Sequence, residues 1–218
     1  MLMDPRRFCG FPCSLALLVL LGAPAFGDSI SFTFTGDVDA TQFGLSASTP
    51  FSIQYAYDPT QAPVAGSNPA DYSIDFILTV GGYAAQAHGA LTLVIQPTYD
   101  QFVLGACDCA TLAGDPEHLT GSINGIPLEG MDLDILDTIP PIDMFSTTQL
   151  PTSAQFFSSA DFFLLEIGDV SGNAQISQQF SPSDVGLSAQ AVPEPGSGLL
   201  VAGVLAILMV CSFAKTCR

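Results

Sequence analysis

Between Arg7 and Lys215 the chain has no lysine and no arginine. Its basic residues are confined to the two ends, Arg6 and Arg7 near the start and Lys215 and Arg218 in the last four positions. The stretch between, 28–191, carries all of the 21 acidic residues except Asp4 and Glu194. A body of this kind can form no ordinary salt bridge. Its carboxylates must be hydrated, hydrogen-bonded to backbone amides or bound to cations. The only positive partners are His88, His118 and a new α-amino group. Such a surface repels phosphate, which excludes nucleic acid as a partner, and it lacks the clamp that phosphoryl and carboxylate substrates need. A net charge of −17 favours solubility outside the cell and attracts divalent cations.

Each basic pair adjoins an apolar run. Arg6 and Arg7 precede Ser14–Leu21, and Ala25-Phe26-Gly27 places small residues at −3 and −1 of a cleavage site before Asp28. This reads as a secretory signal peptide over 1–27, handled by the Sec machinery. At the other end, Val192-Pro193-Glu194-Pro195-Gly196 interrupts regular structure. Ser197 to Ala214 then runs 18 residues without a charge, long enough as a helix to cross roughly 27 Å of hydrocarbon. Lys215 and Arg218 follow, and positive charge on the cytoplasmic side leaves the body facing outward.

The ordered arrangement of Val192, Pro193, Glu194 and Pro195, one apolar span and a basic tail of Lys215 and Arg218 resembles the PEP-CTERM sorting signal. The resemblance covers about the last 27 residues. It implies an exosortase-type membrane transpeptidase as processing partner, a membrane-anchored stage, and a destination at the cell surface or in the extracellular matrix. The tail here, Lys-Thr-Cys-Arg, is thinner in arginine than the family pattern.

The body reads as strands. Ile30, Phe32 and Phe34 alternate with Ser31, Thr33 and Thr35; Phe51, Ile53, Tyr55 and Tyr57 alternate with Ser52, Gln54 and Ala56; and Ile74, Phe76, Leu78 and Val80 alternate with Ser73, Asp75, Ile77 and Thr79. Further alternation falls at Leu91–Ile95, Phe102–Leu104, Phe163–Ile167 and Ala174–Ile176. Asn124-Gly125 predicts a hairpin turn, because this pair takes positive φ at little cost. Asp58-Pro59, Gly81-Gly82, Pro140-Pro141 and Ser171-Gly172-Asn173 punctuate the runs. Stretches 61–70 and 138–154 read as loops, and Asp132 to Asp137 could form one helical turn. The expected fold is all-β, an antiparallel sandwich or jelly roll over 28–177. A spacer over 178–191 and the sorting signal over 192–218 complete the chain.

Sites for chemistry are few. The body's cysteines are Cys107 and Cys109, whose spacing fits neither a zinc site nor a C-x-x-C redox motif. A local Cys107–Cys109 disulfide pinning a loop is expected in an exported protein, with reduced thiols as the alternative. No Gly-x-Ser-x-Gly elbow accompanies His88 or His118, and both read as satisfied or exposed histidines. Asp132, Asp134 and Asp137, flanked by Glu129 and Asp143, are the candidate ligands for calcium; Asp37 and Asp39 form a smaller acidic pair. Tyr55, Tyr57, Tyr72, Tyr83 and Tyr99 read mainly as packing residues. The expected function is non-enzymatic: an exported, surface-sorted envelope or matrix protein. The alternative is a calcium-dependent carbohydrate-binding or adhesion module that engages exopolysaccharide.

Overall fold

Alternation fixes the buried face strand by strand. In the strand Thr49–Tyr57 every odd-numbered residue is buried, while Pro50, Gln54 and Ala56 point to solvent. The computed structural model describes residues 29–192 apart from 66, 68, 108–110, 113 and 114. Its strands are β1 Ser29–Val38, β2 Thr49–Tyr57, β3 Ala70–Val80, β4 Tyr83–Gln96, β5 Tyr99–Cys107, β6 Thr111–Leu112, β7 Asp115–Pro116, β8 His118–Ile123, β9 Ile126–Asp137, β10 Phe162–Asp169, β11 Gln175–Phe180 and β12 Gly186–Val192. Short 3-10 turns occur at Thr41–Phe43, Ala154–Phe157 and Pro182–Asp184. The all-β expectation is met, with antiparallel pairing throughout the registers from β1 to β11.

One ten-stranded sheet holds nearly all of this, in the order β11-β10-β9-β5-β4-β3-β2-β1-β12, with β8 joined to β4 and β9. The sheet turns its apolar face onto itself. Phe34 on β1 lies 6.1 Å from Phe163 on β10, Phe51 on β2 lies 5.5 Å from Phe180 on β11, and Tyr55 on β2 lies 6.2 Å from Phe102 on β5. Strands far apart in the sheet order thus form two facing layers of one sheet, with a single core between them. Phe32, Phe34, Phe43, Phe102, Ile53 and Leu91 are fully buried there. Burial of that kind contributes about 1.5–3 kcal/mol per large apolar side chain.

Glutamine side chains close the seam. Gln178 on β11 donates from Nε2 to the Asp37 carbonyl at 3.2 Å and accepts the Asp39 N–H at 2.8 Å. Gln42 Oε1 accepts the Gln175 N–H at 2.9 Å. A side-chain amide carries the same donor and acceptor as a peptide group, so it satisfies edge backbone that another strand would otherwise pair.

Three features differ from the sequence reading. The stretch 178–191 is no spacer: β11 extends to Phe180, Pro182–Asp184 turns, and β12 lies beside β1 up to Val192. Asp132–Asp137 is strand, the end of β9, and not a helical turn. The irregular connection after β9 runs on to Asp161 and contains the Ala154–Phe157 turn. The Asn124-Gly125 hairpin has the expected form, with φ of 50° and 82°. The stretches expected to be a signal peptide and a sorting signal, Val192 excepted, lie outside the described residues.

A further detail of topology positions the histidines. β4 pairs with β5 through Ala90–Gln96 and with β8 through Ala85–His88. β5 and β8 therefore occupy one place in the sheet in succession, and the chain leaves that place between Cys107 and His118. Glycines permit the change of partner: a Cβ on Gly89 would collide with the Gly105 carbonyl oxygen and with Ala106.

Candidate functional site

Many carboxylates of the body are satisfied by amides and hydroxyls. Asp39 accepts from the Thr41 hydroxyl at 2.6 Å and its N–H at 3.0 Å, and Asp58 takes Thr60 in the same way at 2.6 and 2.8 Å. Those hydroxyl bonds, then the amide bonds, hold both carboxyls below the usual range. Asp161 is pulled both ways: burial raises it, and the Thr138 and Ile139 donors outweigh that and lower it. Asp169 accepts from the Ser171 hydroxyl and the Ala174 N–H, and is lowered by them in that order.

Two acidic side chains are buried as a pair. Asp100 and Asp137 are cross-strand partners, each 1 % exposed. Asp137 Oδ2 accepts the N–H groups of Asp143 and Met144 at 2.9 and 3.0 Å, and Asp100 Oδ2 accepts that of Phe145 at 2.8 Å. Burial raises the Asp100 carboxyl; the Phe145 amide opposes this, and the Asp137 and Asp143 charges add to it. Together the pair anchors the start of the long connection after β9.

This separates the three candidate calcium ligands. Asp137 faces inward with its neighbours Leu133 and Ile135, whereas Asp132 and Asp134 point outward. Among the described residues no group of three or more His, Cys, Asp or Glu side chains is placed to hold a metal. Outside, Asp132 faces Glu166 across the β9–β10 pair and lies over Gly105. Gln101 Nε2 donates to Asp134 Oδ1 at 3.3 Å. Burial of its carboxyl group, then the Asp134, Glu166 and Glu117 charges, push Asp132 up to about 6. A shallow cleft of about 260 Å³ beside it is lined by Glu129, Asp132, Glu166 and Gln175, among others.

A pH dependence follows, with a definite sign. Asp132 and Asp100 are raised in the folded state, so their contribution is complete below the unfolded value near 3.9 and is lost as pH rises, for Asp132 through about 6. Asp39, Asp58, Asp161 and Asp169 are lowered, so theirs is present above about 3.9 and fails in stronger acid. Stability should therefore be greatest near pH 4 and decline from there through about pH 6. A shift of this size at Asp132 would correspond to about 3 kcal/mol unscreened; solvent exposure reduces that to about 1 kcal/mol. We expect the melting temperature to fall by about 2–3 °C between pH 4 and pH 7.5 at fixed ionic strength, and Asp132→Asn to remove most of the fall. A melting temperature that rises over this interval would contradict the assignment.

The histidines meet further along the sheet, on the outer face of β3, β4 and β8. Asp75, His88 and His118 form one cross-strand row, because Asp75 pairs with His88 and His88 with His118. The two imidazoles stack with centroids 5.5 Å apart at 21°. His88 Nδ1 is 2.7 Å from Asp75 Oδ1, and its Nε2 is 3.4 Å from Ser73 Oγ. The Ser73–His88–Asp75 connectivity is that of a nucleophile, base and orienting acid. Its acid, however, is 86 % exposed. Water at such a site screens the pair, so this acid orients the imidazole less firmly than a buried one would. The next row is Ile77 paired with Gln86. Asp75, Ile77, Gln86 and His118, with the backbone of Phe76 and Ala87, enclose a groove of about 370 Å³.

Sequence alternation had already placed Ser73, Asp75 and Ile77 on one face; nothing in it brought His118 to them. Tyr55, Tyr57 and Tyr72 are buried, as expected of packing residues, and Tyr83 is 38 % exposed. Tyr57 and Tyr72 donate to the Pro151 and Thr148 carbonyls at 2.6 and 2.5 Å, whereas the Tyr55 hydroxyl is buried without a partner. Cys107 is disulfide-bonded, and Cys109 lies outside the described residues. No helix among the described residues is long and apolar enough to cross a membrane. No protein-family model matches the chain, and neither a curated protein nor a solved structure is significantly similar to it.

Proposed function

We propose that the chain is an exported, non-enzymatic envelope protein with a sandwich-like body. It is delivered by the Sec machinery and processed by an exosortase-type transpeptidase at Val192, Pro193, Glu194 and Pro195. It is held first by the 197–214 span and then at the cell surface or in the extracellular matrix. The observation that carries this reading is the confinement of all Lys and Arg to the two ends, each beside an apolar run. The body supports it. Asp39, Asp58, Asp100, Asp137, Asp161 and Asp169 are satisfied by the protein's own donors, so a polyanionic domain can stand without cationic side chains. The last strand also leads straight into the motif, since β12 ends at Val192.

Replacing Pro193-Glu194-Pro195 by three alanines tests the proposal in cells that sort the protein. The altered chain should stay full-length in the membrane fraction while the natural one reaches the surface in shortened form. Identical size and location for both, or a cytoplasmic body, would overturn it.

A further inference from the structure

We infer that the groove on the outer face of β3, β4 and β8 binds a neutral sugar of a polysaccharide, without a metal ion. The inference rests on the exported, matrix-facing reading above and names the ligand class that reading leaves open. Its residues come from three strands of the continuous sheet, which holds them as rigidly as any surface in the body.

The chemistry of the walls selects the ligand. Asp75 supplies carboxylate oxygens, Gln86 both a carbonyl oxygen and an amide, and His118 a ring nitrogen on either side of the proton-transfer choice. These face one another around Ile77, which is 42 % exposed although it sits mid-strand. Phe76 and Ala87 direct their side chains into the core, so they offer backbone only. A floor of aliphatic carbon with an acceptor, an amide and an imidazole at its rim matches a pyranose, which shows carbon–hydrogen faces and hydroxyls around its edge. A carboxylate can accept two neighbouring hydroxyls at once, which fixes a ring in one orientation. Anionic sugars are disfavoured: the rim includes Asp75, the body has no Lys or Arg, and the surrounding field is negative.

Two of the rim groups, Asp75 and His118, are also held in place through His88 before any ligand arrives. His88 is fixed by Asp75 and Ser73 at its two nitrogens, and its ring supports that of His118. Immobilising the rim in advance removes part of the entropy lost on binding. This gives the hydrogen bonds of His88 to Ser73 and Asp75 a role as a support for the groove. It also moves the carbohydrate reading away from Asp132 and Asp134, which lie on β9.

The chain has two histidines in all, so its imidazole resonances report on this site and nowhere else. We would record nitrogen–proton spectra of the purified full-length chain in detergent, labelled at histidine, with chelator present. The probes are hexasaccharides of α-glucose, β-glucose and β-mannose, with an alginate hexamer as the anionic comparison. A saturable shift of the His118 signals is expected with at least one neutral probe, at a Kd of about 1 mM or tighter. Alginate should give none. Gln86→Ala, at an exposed position, should weaken that binding about tenfold or more while leaving the unliganded spectrum and the melting temperature in place. His118→Ala should abolish the remaining response, read then at His88. Unmoved histidine signals with all neutral probes would overturn the inference, as would equal binding of alginate or an unchanged affinity in Gln86→Ala. Because the measurement uses purified protein, it is independent of whether the sorting proposal holds.

Discussion

Asp137→Ala should lower stability by about 3 kcal/mol, a loss of about 6–12 °C in melting temperature for a domain of this size. The reason is geometric. Asp137 is 1 % exposed, and its Oδ2 is the acceptor for two backbone N–H groups, those of Asp143 and Met144. Truncation leaves both without that partner, and each buried unsatisfied amide costs about 1–3 kcal/mol. Some relief comes from removing a charge next to Asp100, which keeps the sum below the upper limit. Asp137→Asn should be milder, since its amide oxygen can still accept while the charge is gone. Asp37→Ala, at an exposed position, should stay within about 0.5 kcal/mol. The damage should be local first. Met144 and Phe145 are buried at the start of the long connection, and freeing them should open it to chymotrypsin. Trypsin would not report this, for lack of any site between Arg7 and Lys215. A variant melting within about 2 °C of the natural chain would show that water or a shifted loop satisfies these amides as well as the carboxylate does.

The acidic clamp was half legible in the sequence. The absence of Lys and Arg forces every carboxylate toward water, amide or cation, and the Thr two residues after Asp39 and Asp58 is a turn signal that can be read directly. Parity along β9 was legible too: even-numbered Asp132 and Asp134 share a face, and odd-numbered Asp137 belongs to the other with Leu133 and Ile135. Grouping all three as ligands overlooked that parity. What no local pattern carries is register across distant strands. His88 and His118 meet because β8 takes over the place beside β4 that β5 vacates, and that exchange depends on Gly89, where a Cβ would strike the Gly105 carbonyl and Ala106. Composition also misled at 178–191. Its Ser, Gln and Pro content reads as a linker, yet Gln178 is polar because it closes the sheet's seam.

Phe157→Ala should cost about 3–5 kcal/mol, the largest single effect expected in the body. Phe157 belongs to no strand. It closes a 3-10 turn in the connection between β9 and β10, where sequence periodicity gives no signal, and is nevertheless 3 % exposed. Its ring meets three others edge to face or nearly so: Phe102 at 5.1 Å, Phe34 at 5.9 Å and Phe32 at 6.2 Å. Those partners come from β1 and β5, which are separated in the sheet by β2, β3 and β4, so one side chain fills space between the facing layers. Removing it leaves a cavity lined by rings anchored in strands, and strands cannot collapse inward as readily as a loop can. Edge-to-face geometry adds to the loss, at about 0.5–1.5 kcal/mol per pair. Phe157→Leu should recover about half of the stability, because it refills volume without restoring the ring contacts. The check is chemical unfolding of both variants beside the natural chain. A loss below about 1.5 kcal/mol for the alanine variant would mean that the turn moves away with little penalty, and the connection would then be an ornament on the core and not its plug.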